Sequence, residues 1–360
     1  MPSETRTSIA AMKILITGAS GFIGSHMVEQ ALQLGHKVWA AVRPTSNRKY
    51  LTDERIHFIE LDYTDGKVLQ GQLQDFAREY GCWDVIIHCA GATRCLRHSD
   101  FYTINYEGTR LLVDMLMALD IVPRQFIFMS TLGTYGPIHE APPYQPIRDV
   151  DTPNPNTHYG RSKRKTEEYL MNLPAFPYLI FRPTGVYGPR DKDYQILVNG
   201  IRHHTELALG FRRQEITFLY VKDLVQAVFL AIAKGVTHRA YFVTDGNVYT
   251  SHDFGHIVRE ELGRPFVLRL TLPLWAGRVA ALLCDGIARL THCRLTLNSD
   301  KYRILSQRNW TCDIKPLIEE LDYSPQYDLQ RGVAETIQDY ASGSISSARR
   351  ARRRVSSLPM

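Results

Sequence analysis

Three groups of residues in this chain have types and spacings that could carry chemistry. In Tyr159-Gly160-Arg161-Ser162-Lys163 a phenol and an ammonium stand one helical turn apart, so both would leave a helix on the same face. A phenol ordinarily titrates near pKa ~10, and a neighbouring positive charge favours its phenolate, which would suit Tyr159 to proton transfer near neutral pH. The bare pair is equally compatible with a helix surface. Upstream, Thr17-Gly18-Ala19-Ser20-Gly21-Phe22-Ile23-Gly24 joins a glycine turn to a helix start. Such a turn either cradles a pyrophosphate on backbone N–H groups or packs a strand closely against a helix. Arg43 then closes the run Val38-Trp39-Ala40-Ala41-Val42, at the place where an acid would read a ribose 2′-hydroxyl. An arginine there suits a 2′-phosphate, with Arg48 as a second contact; alternatively both belong to a solvated basic loop.

These residues need elements that bring a strand end, a helix start and a second helix face together. From Met12 onward, short β-branched or apolar runs at 13–17, 37–43, 56–61, 84–89 and 124–130 alternate with helical patterns at 22–34, 67–80 and 101–120. The rhythm continues at 178–182, 195–204, 216–219, 222–234 and 241–244, followed by a mostly helical stretch to Tyr340. Continuous apolar strands alternating with helices predict an α/β fold with a doubly wound, Rossmann-type parallel sheet over 12–182. A smaller C-terminal substrate-binding lobe is expected over 183–340, with some elements returning to the sheet.

The chain of 360 residues, 44% hydrophobic and 22% charged, has material for a full core, which excludes a small stapled scaffold and wholesale disorder. Much of the +6 net charge sits in Arg349, Arg350, Arg352, Arg353 and Arg354, so the body is nearly neutral and no basic face for nucleic acid is expected. Residues 341–360 read as a disordered tail, or as a segment drawn to an anionic membrane surface or to nucleic acid. Residues 1–11 read as a loose leader without the order of a secretory signal. The longest apolar stretch, 272–290, is interrupted by Arg278, Asp285 and Arg289, so no transmembrane segment and a cytoplasmic location are expected. Six cysteines without a C-x-x-C pair give no metal site.

The motifs TGASGFIG (17–24), LDYTD (61–65), HCAG (88–91), NYEGT (105–109), STLGTYG (130–136), YGRSK (159–163) and RPTGVYGPRD (182–191) occur in an order that resembles the extended short-chain dehydrogenases/reductases. This is the NAD-dependent epimerase/dehydratase family, which includes dihydroflavonol reductases and 3β-hydroxysteroid dehydrogenases. The resemblance implies that Thr131 holds the substrate oxygen and that Tyr159 is the general acid/base. It implies that Lys163 binds the nicotinamide ribose and lowers the tyrosine pKa, and that Asn105 is either catalytic or structural. Gly18, Ser20, Gly21, Phe22, Ile23 and Gly24 would cradle the cofactor, Asp62 would meet the adenine amine, Ala90 and Gly91 would line the cofactor, and Pro183 would approach the nicotinamide. A homodimer through the helices at 101–120 and 157–171 is also implied.

Members that hold a nucleotide diphospho-sugar carry an Asn before V-Y-G-P and an Arg five residues before the Val of V-x-D; here those places hold Gly185 and Ile216. The Asp-Glu that follows the catalytic Thr in sugar dehydratases is replaced by Leu132-Gly133. The reading that results is an NADP(H)-dependent oxidoreductase, with NAD(H) as the other possible cofactor, interconverting a ketone and a secondary alcohol on a small apolar, aromatic or sterol-like substrate. Arg94, Thr131, Tyr135, Tyr187, Arg190 and Trp275 are candidate substrate contacts. The alternatives are an NAD-dependent sugar epimerase and a catalytically silent NADP-sensing binding protein.

Overall fold

The structure, a computed structural model, describes residues 11–291 and 297–355. The first half lays down β1 (Lys13–Thr17), α1 (Phe22–Gln33), β2 (Lys37–Ala41), β3 (Ile56–Ile59), α2 (Gly66–Tyr80), β4 (Val85–His88), α3 (His98–Tyr102), α4 (Gly108–Ala118), β5 (Gln125–Met129), α5 (His158–Met171) and β6 (Tyr178–Pro183). Every residue of β4 and β5 is buried, as a parallel strand covered on both faces requires. Alternate side chains along the strands feed two cores. Ile14, Ile16 and Ile87 pack beneath α1, while Leu15, Ile86 and Phe126 pack beneath α2 and α4.

The second half supplies β7 (Gly185–Tyr187), α6 (Asp193–Arg202), β8 (Thr205–Leu209), β9 (Glu215–Ile216), β10 (Phe218–Tyr220), α7 (Val221–Lys234) and β11 (Arg239–Val243). It then adds α8 (Asp253–Glu261), β12 (Leu268–Leu272), α9 (Leu274–Thr291), α10 (Ser299–Ser306), β13 (Asn309–Trp310), α11 (Lys315–Leu321) and α12 (Leu329–Val355). Seven parallel strands form one sheet in the order β11-β6-β5-β4-β1-β2-β3, with β11 entering from the second half beside β6. This is the doubly wound Rossmann-type sheet. The strand order reverses between β1 and β4, and the crevice beyond the carboxyl ends of those strands is where such sheets receive ligands. The remaining strands pair two by two as β7 with β10, β8 with β12 and β9 with β13, around a third core of Tyr187, Phe218, Tyr220 and Phe254.

Three segments differ from expectation. The helix over 101–120 is interrupted by a π-helical turn, Thr103–Glu107, which turns Asn105 into the protein. The stretch after 244 contains β12, because Leu-Arg-Leu-Thr-Leu alternates with period two and finds β8 to pair with. Finally, α12, anchored in the third core by Leu329 and Val333, runs on as helix past 341 to Val355, while residues 1–10 and 356–360 lie outside the described residues. No helix among the described residues is long and apolar enough to cross a membrane.

Candidate active site

The glycine run leaves β1 and enters α1 over a very tight turn. Gly18 has φ +63°, and a Cβ there would lie 2.7 Å from the Cys89 carbonyl oxygen. Gly24, in the first turn of α1, lies so close that a Cβ would come within 2.2 Å of the Gly18 carbonyl oxygen. The helix starts at Gly21 with no side-chain cap and no acid in its first turn, so Ser20, Gly21, Phe22 and Ile23 surround backbone N–H groups with positive potential. A close-packed glycine cradle on an uncapped helix start fits the pyrophosphate of a dinucleotide.

A buried relay holds the opposite wall. The N–H of Ala90 donates to Thr17 Oγ1 at 3.1 Å, Thr17 Oγ1 lies 2.9 Å from His88 Nδ1, and His88 Nε2 lies 2.9 Å from Thr109 Oγ1. Thr109 spends its single proton on the Asn105 carbonyl at 2.8 Å. His88 must therefore donate from Nε2 and accept from Thr17 at Nδ1. Burial, with a smaller effect from Lys163, holds the imidazole pKa down at about 3, so it stays neutral. The Asn105 side chain closes the wall: its Oδ1 accepts from Ala92 N at 2.7 Å, and its Nδ2 donates to Ala92 O at 3.1 Å and to Ser162 Oγ at 2.9 Å. Through these bonds Asn105 ties the loop carrying Ala90 and Gly91 to α5.

Tyr159 sits in the first turn of α5, which is capped twice. Thr157 Oγ1 accepts from Gly160 N at 2.9 Å. Asp300, from α10, accepts from the backbone N–H of His158 at 2.9 Å and of Tyr159 at 3.3 Å. No local sequence signal points to Asp300, because its partners lie far away in the chain. Burial raises the Tyr159 phenol to about 12, opposed by a hydrogen bond with Thr131 that favours the phenolate. Thr131 Oγ1 in turn accepts from Gly133 N at 3.1 Å.

The expected lowering of the tyrosine by Lys163 is corrected here. Lys163 shares the helix face but turns its Nζ to the Met129 carbonyl at 2.8 Å and over the Phe128 ring at 4.5 Å, so burial governs the phenol. Burial likewise holds the ammonium down at about 8, with Cys89 and Glu167 pulling it upward. The neighbouring wall is braced by Glu167, which receives Arg182 Nη2 at 2.9 Å and the Ser130 hydroxyl. That ion pair is almost wholly buried and escaped the sequence reading, since its members lie on different elements.

Other candidates divide. Arg43 and Arg48 are exposed at the end of β2, with Arg48 lying 4.4 Å over the Phe58 ring. Asp62 Oδ1 holds a turn through the Thr64 N–H and hydroxyl, which lowers its pKa. Pro183 ends β6 beside the sheet. Four substrate candidates are engaged elsewhere. Tyr135 is buried, donates to the Asp149 carbonyl and packs on Phe242, because the chain after Thr131 dives into the core. Tyr187 is a pillar of the third core, donating to the Asp328 carbonyl at 3.3 Å. Arg190 reaches back to α1, donating to Ser25 Oγ at 3.2 Å and pairing with Glu29 at 2.8 Å. Arg94 is ion-paired with Asp193 at the start of α6. Trp275 stands in a separate cleft of about 330 Å³ with Phe211 and Arg212.

A close-packed glycine turn, a hydrogen-bonded Thr131–Tyr159 pair and a buried lysine are thus carried on one Rossmann-type sheet. Residues 14–243 match the model of the NAD dependent epimerase/dehydratase family, and the chain belongs to it as an NAD(P)-dependent enzyme of the extended short-chain dehydrogenase/reductase type. It is 25% identical to the sterol-4-alpha-carboxylate 3-dehydrogenase (decarboxylating) of Candida albicans, covering 92% of this chain and 98% of that protein. It is 24% identical to the UDP-glucose 4-epimerase of Vibrio cholerae, over 91% and 95%. The fold matches that of the UDP-glucose 4-epimerase of Thermotoga maritima, solved with UDP-glucose, with a TM-score of 0.72, 22% identity and coverage of 92% and 99%.

Proposed function

We propose that this enzyme is a cytoplasmic, NADP(H)-dependent reductase of an apolar or aromatic, sterol-like ketone, or the dehydrogenase of the matching secondary alcohol. The observation that carries this reading is the packing at Gly185 and Ile216. A Cβ at Gly185 would lie 2.4 Å from the Tyr194 hydroxyl, so the end of that side chain stands where an amide side chain would start. Ile216 is spent in β9, paired with Trp310. The place of the amide is thus held by Gly185 against Tyr194 and the place of the cation by Ile216, and a nucleotide pyrophosphate would lack an amide donor and a cation. The sterol-directed relative supports an apolar substrate, and the exposed Arg43 supports a 2′-phosphate.

The bound dinucleotide would supply or accept hydride, held by the glycine cradle, Asp62 and Lys163. With its pKa raised to about 12, Tyr159 is protonated at neutral pH and is loaded to donate to an oxygen that becomes alkoxide. Thr131 supplies the second hydroxyl and favours the phenolate that remains. In the reverse direction the same phenolate takes the alcohol proton. We also propose a homodimer through the faces of α4 and α5, next to exposed Ile104 and Met117; a monomeric mass in sedimentation would remove it.

The test is to release and identify any nucleotide from purified protein, titrate NADPH and NADH, and screen ketones with wild type and Tyr159→Phe. Exchangeable cofactor, tighter NADPH lost in Arg43→Asp, and a rate loss of about 10²–10⁴-fold in Tyr159→Phe are expected. Stoichiometric, non-exchanging NAD⁺ would favour the epimerase instead. Binding without any Tyr159-dependent turnover would favour the silent sensor.

A further inference from the structure

The C-terminal lobe is inside out in two neighbouring elements. Helix α9 turns its small residues inward: Ala281 is 1% exposed, and Gly277 packs so closely that a Cβ would lie 2.4 Å from Leu209 Cδ1. Its large apolar residues point to solvent, with Trp275 72%, Leu282 57% and Leu283 63% exposed. The adjoining β8–β12 ribbon repeats the inversion. The ion pair of Glu206 and Arg269 is mostly covered, whereas Leu207, Leu268 and Leu270 are exposed. The two elements meet at the cleft where Phe211, 76% exposed, faces the start of α9.

Charge selects the occupant. The stretches 207–214 and 262–284 contain no acidic residue. Arg269 and Arg213 are paired with Glu206 and Glu215, and Asp285 accepts from Ser299. That leaves Arg212, Arg264, Arg278 and Arg308 without an ion-pair partner among the described residues; Arg212 and Arg308 line the cleft with Phe211 and Trp275, and Arg278 stands one helical turn after Trp275 on α9. A second copy of this chain would set the same positive rim against itself, because a two-fold contact is built from one self-complementary patch. Apolar side chains bordered by unpaired arginines and a tryptophan fit the boundary between acyl chains and anionic headgroups.

We propose that the outer face of α9, with Phe211 and the flanking arginines, docks this enzyme on the surface of an anionic lipid bilayer. Helix α9, which carries the face, packs on α10, whose Asp300 holds the backbone of Tyr159. Docking is separate from the proposed substrate, since it is read as binding and not as turnover.

The experiment floats the full chain with vesicles of phosphatidylglycerol and phosphatidylcholine, and with vesicles of phosphatidylcholine alone. Wild type should partition at least about tenfold more strongly to the anionic vesicles. Both Leu282→Glu/Leu283→Glu and Arg212→Glu/Arg278→Glu should lose about tenfold or more while keeping the wild-type Tm and dinucleotide affinity. Absent or lipid-independent binding of wild type would overturn the proposal. So would retention by both variants, or loss only when the five tail arginines are changed to Gln. Concentration-dependent self-association abolished by Leu282→Glu/Leu283→Glu, without vesicle binding, would assign the face to a second copy and overturn it equally.

Discussion

The seven-strand sheet and the C-terminal lobe treat apolar residues in opposite ways. In the sheet, Ile14, Leu15, Ile86 and Ile87 disappear completely, and buried polar groups among them are paired with one another, as in Glu167 with Arg182 and the Thr17–His88–Thr109 relay. In the lobe, α9 and the β8–β12 ribbon bury glycine, alanine and an ion pair while exposing leucine and tryptophan. The sheet buries its apolar surface almost entirely, and most of its polar groups are paired, although Trp83 Nε1 and the Tyr63 hydroxyl are buried without a partner among the described residues. The lobe's outer face derives no stability from its largest side chains. The candidate site lies on the sheet half, and Asp300 crosses from the other side to hold the backbone of its tyrosine.

The contrast can be broken most severely at its buried charge. Glu167→Gln would leave Arg182 uncompensated and should lower unfolding free energy by about 3–5 kcal/mol, read as a fall in the urea midpoint at constant m-value. Ile87→Ala, in the middle of the sheet, should cost about 2–5 kcal/mol in the same measurement.

A pH series sharpens the point. Lys163 binds its proton less well in the folded chain, at about 8 against an ordinary 10.5, so the unfolded chain holds more protons between those values. Stability contributed by this group therefore rises as pH climbs from about 8 to 10.5, and Lys163→Met should flatten that segment of the stability profile. The smallest effect belongs to the lobe: Leu283→Ala should fall within about 0.5 kcal/mol of wild type, because its side chain is already in water. A loss comparable to that of Ile87→Ala would refute the comparison.

Much of this was legible in the chain itself. Alternating strand and helix patterns prescribed the parallel sheet, since continuous apolar runs bounded by amphipathic helices have few other ways to be buried. The glycine turn was readable because a positive φ at Gly18 and the close approach at Gly24 admit almost no other residue. Tyr159 and Lys163 were placed on one helix face by spacing alone. The four redirected substrate candidates show where local reading stops. Motif position put Tyr135, Tyr187, Arg190 and Arg94 near the site, but side-chain direction is settled by partners at Asp149, Asp328, Glu29 and Asp193 on other elements.

The sequence by itself thus determined the strand-helix order, the tight glycine turn into α1 and the placing of Tyr159 and Lys163 on one helix face, all of which depend on neighbours within a few residues. Only the tertiary structure decided that Lys163 turns to the Met129 carbonyl, that His88 is held neutral between two threonines, that Asp300 caps the catalytic helix from the other half, and that α9 faces outward. The physical reason is the same in each case. Burial and hydrogen-bond direction depend on groups brought together from distant parts of the chain, and no local period or propensity encodes them.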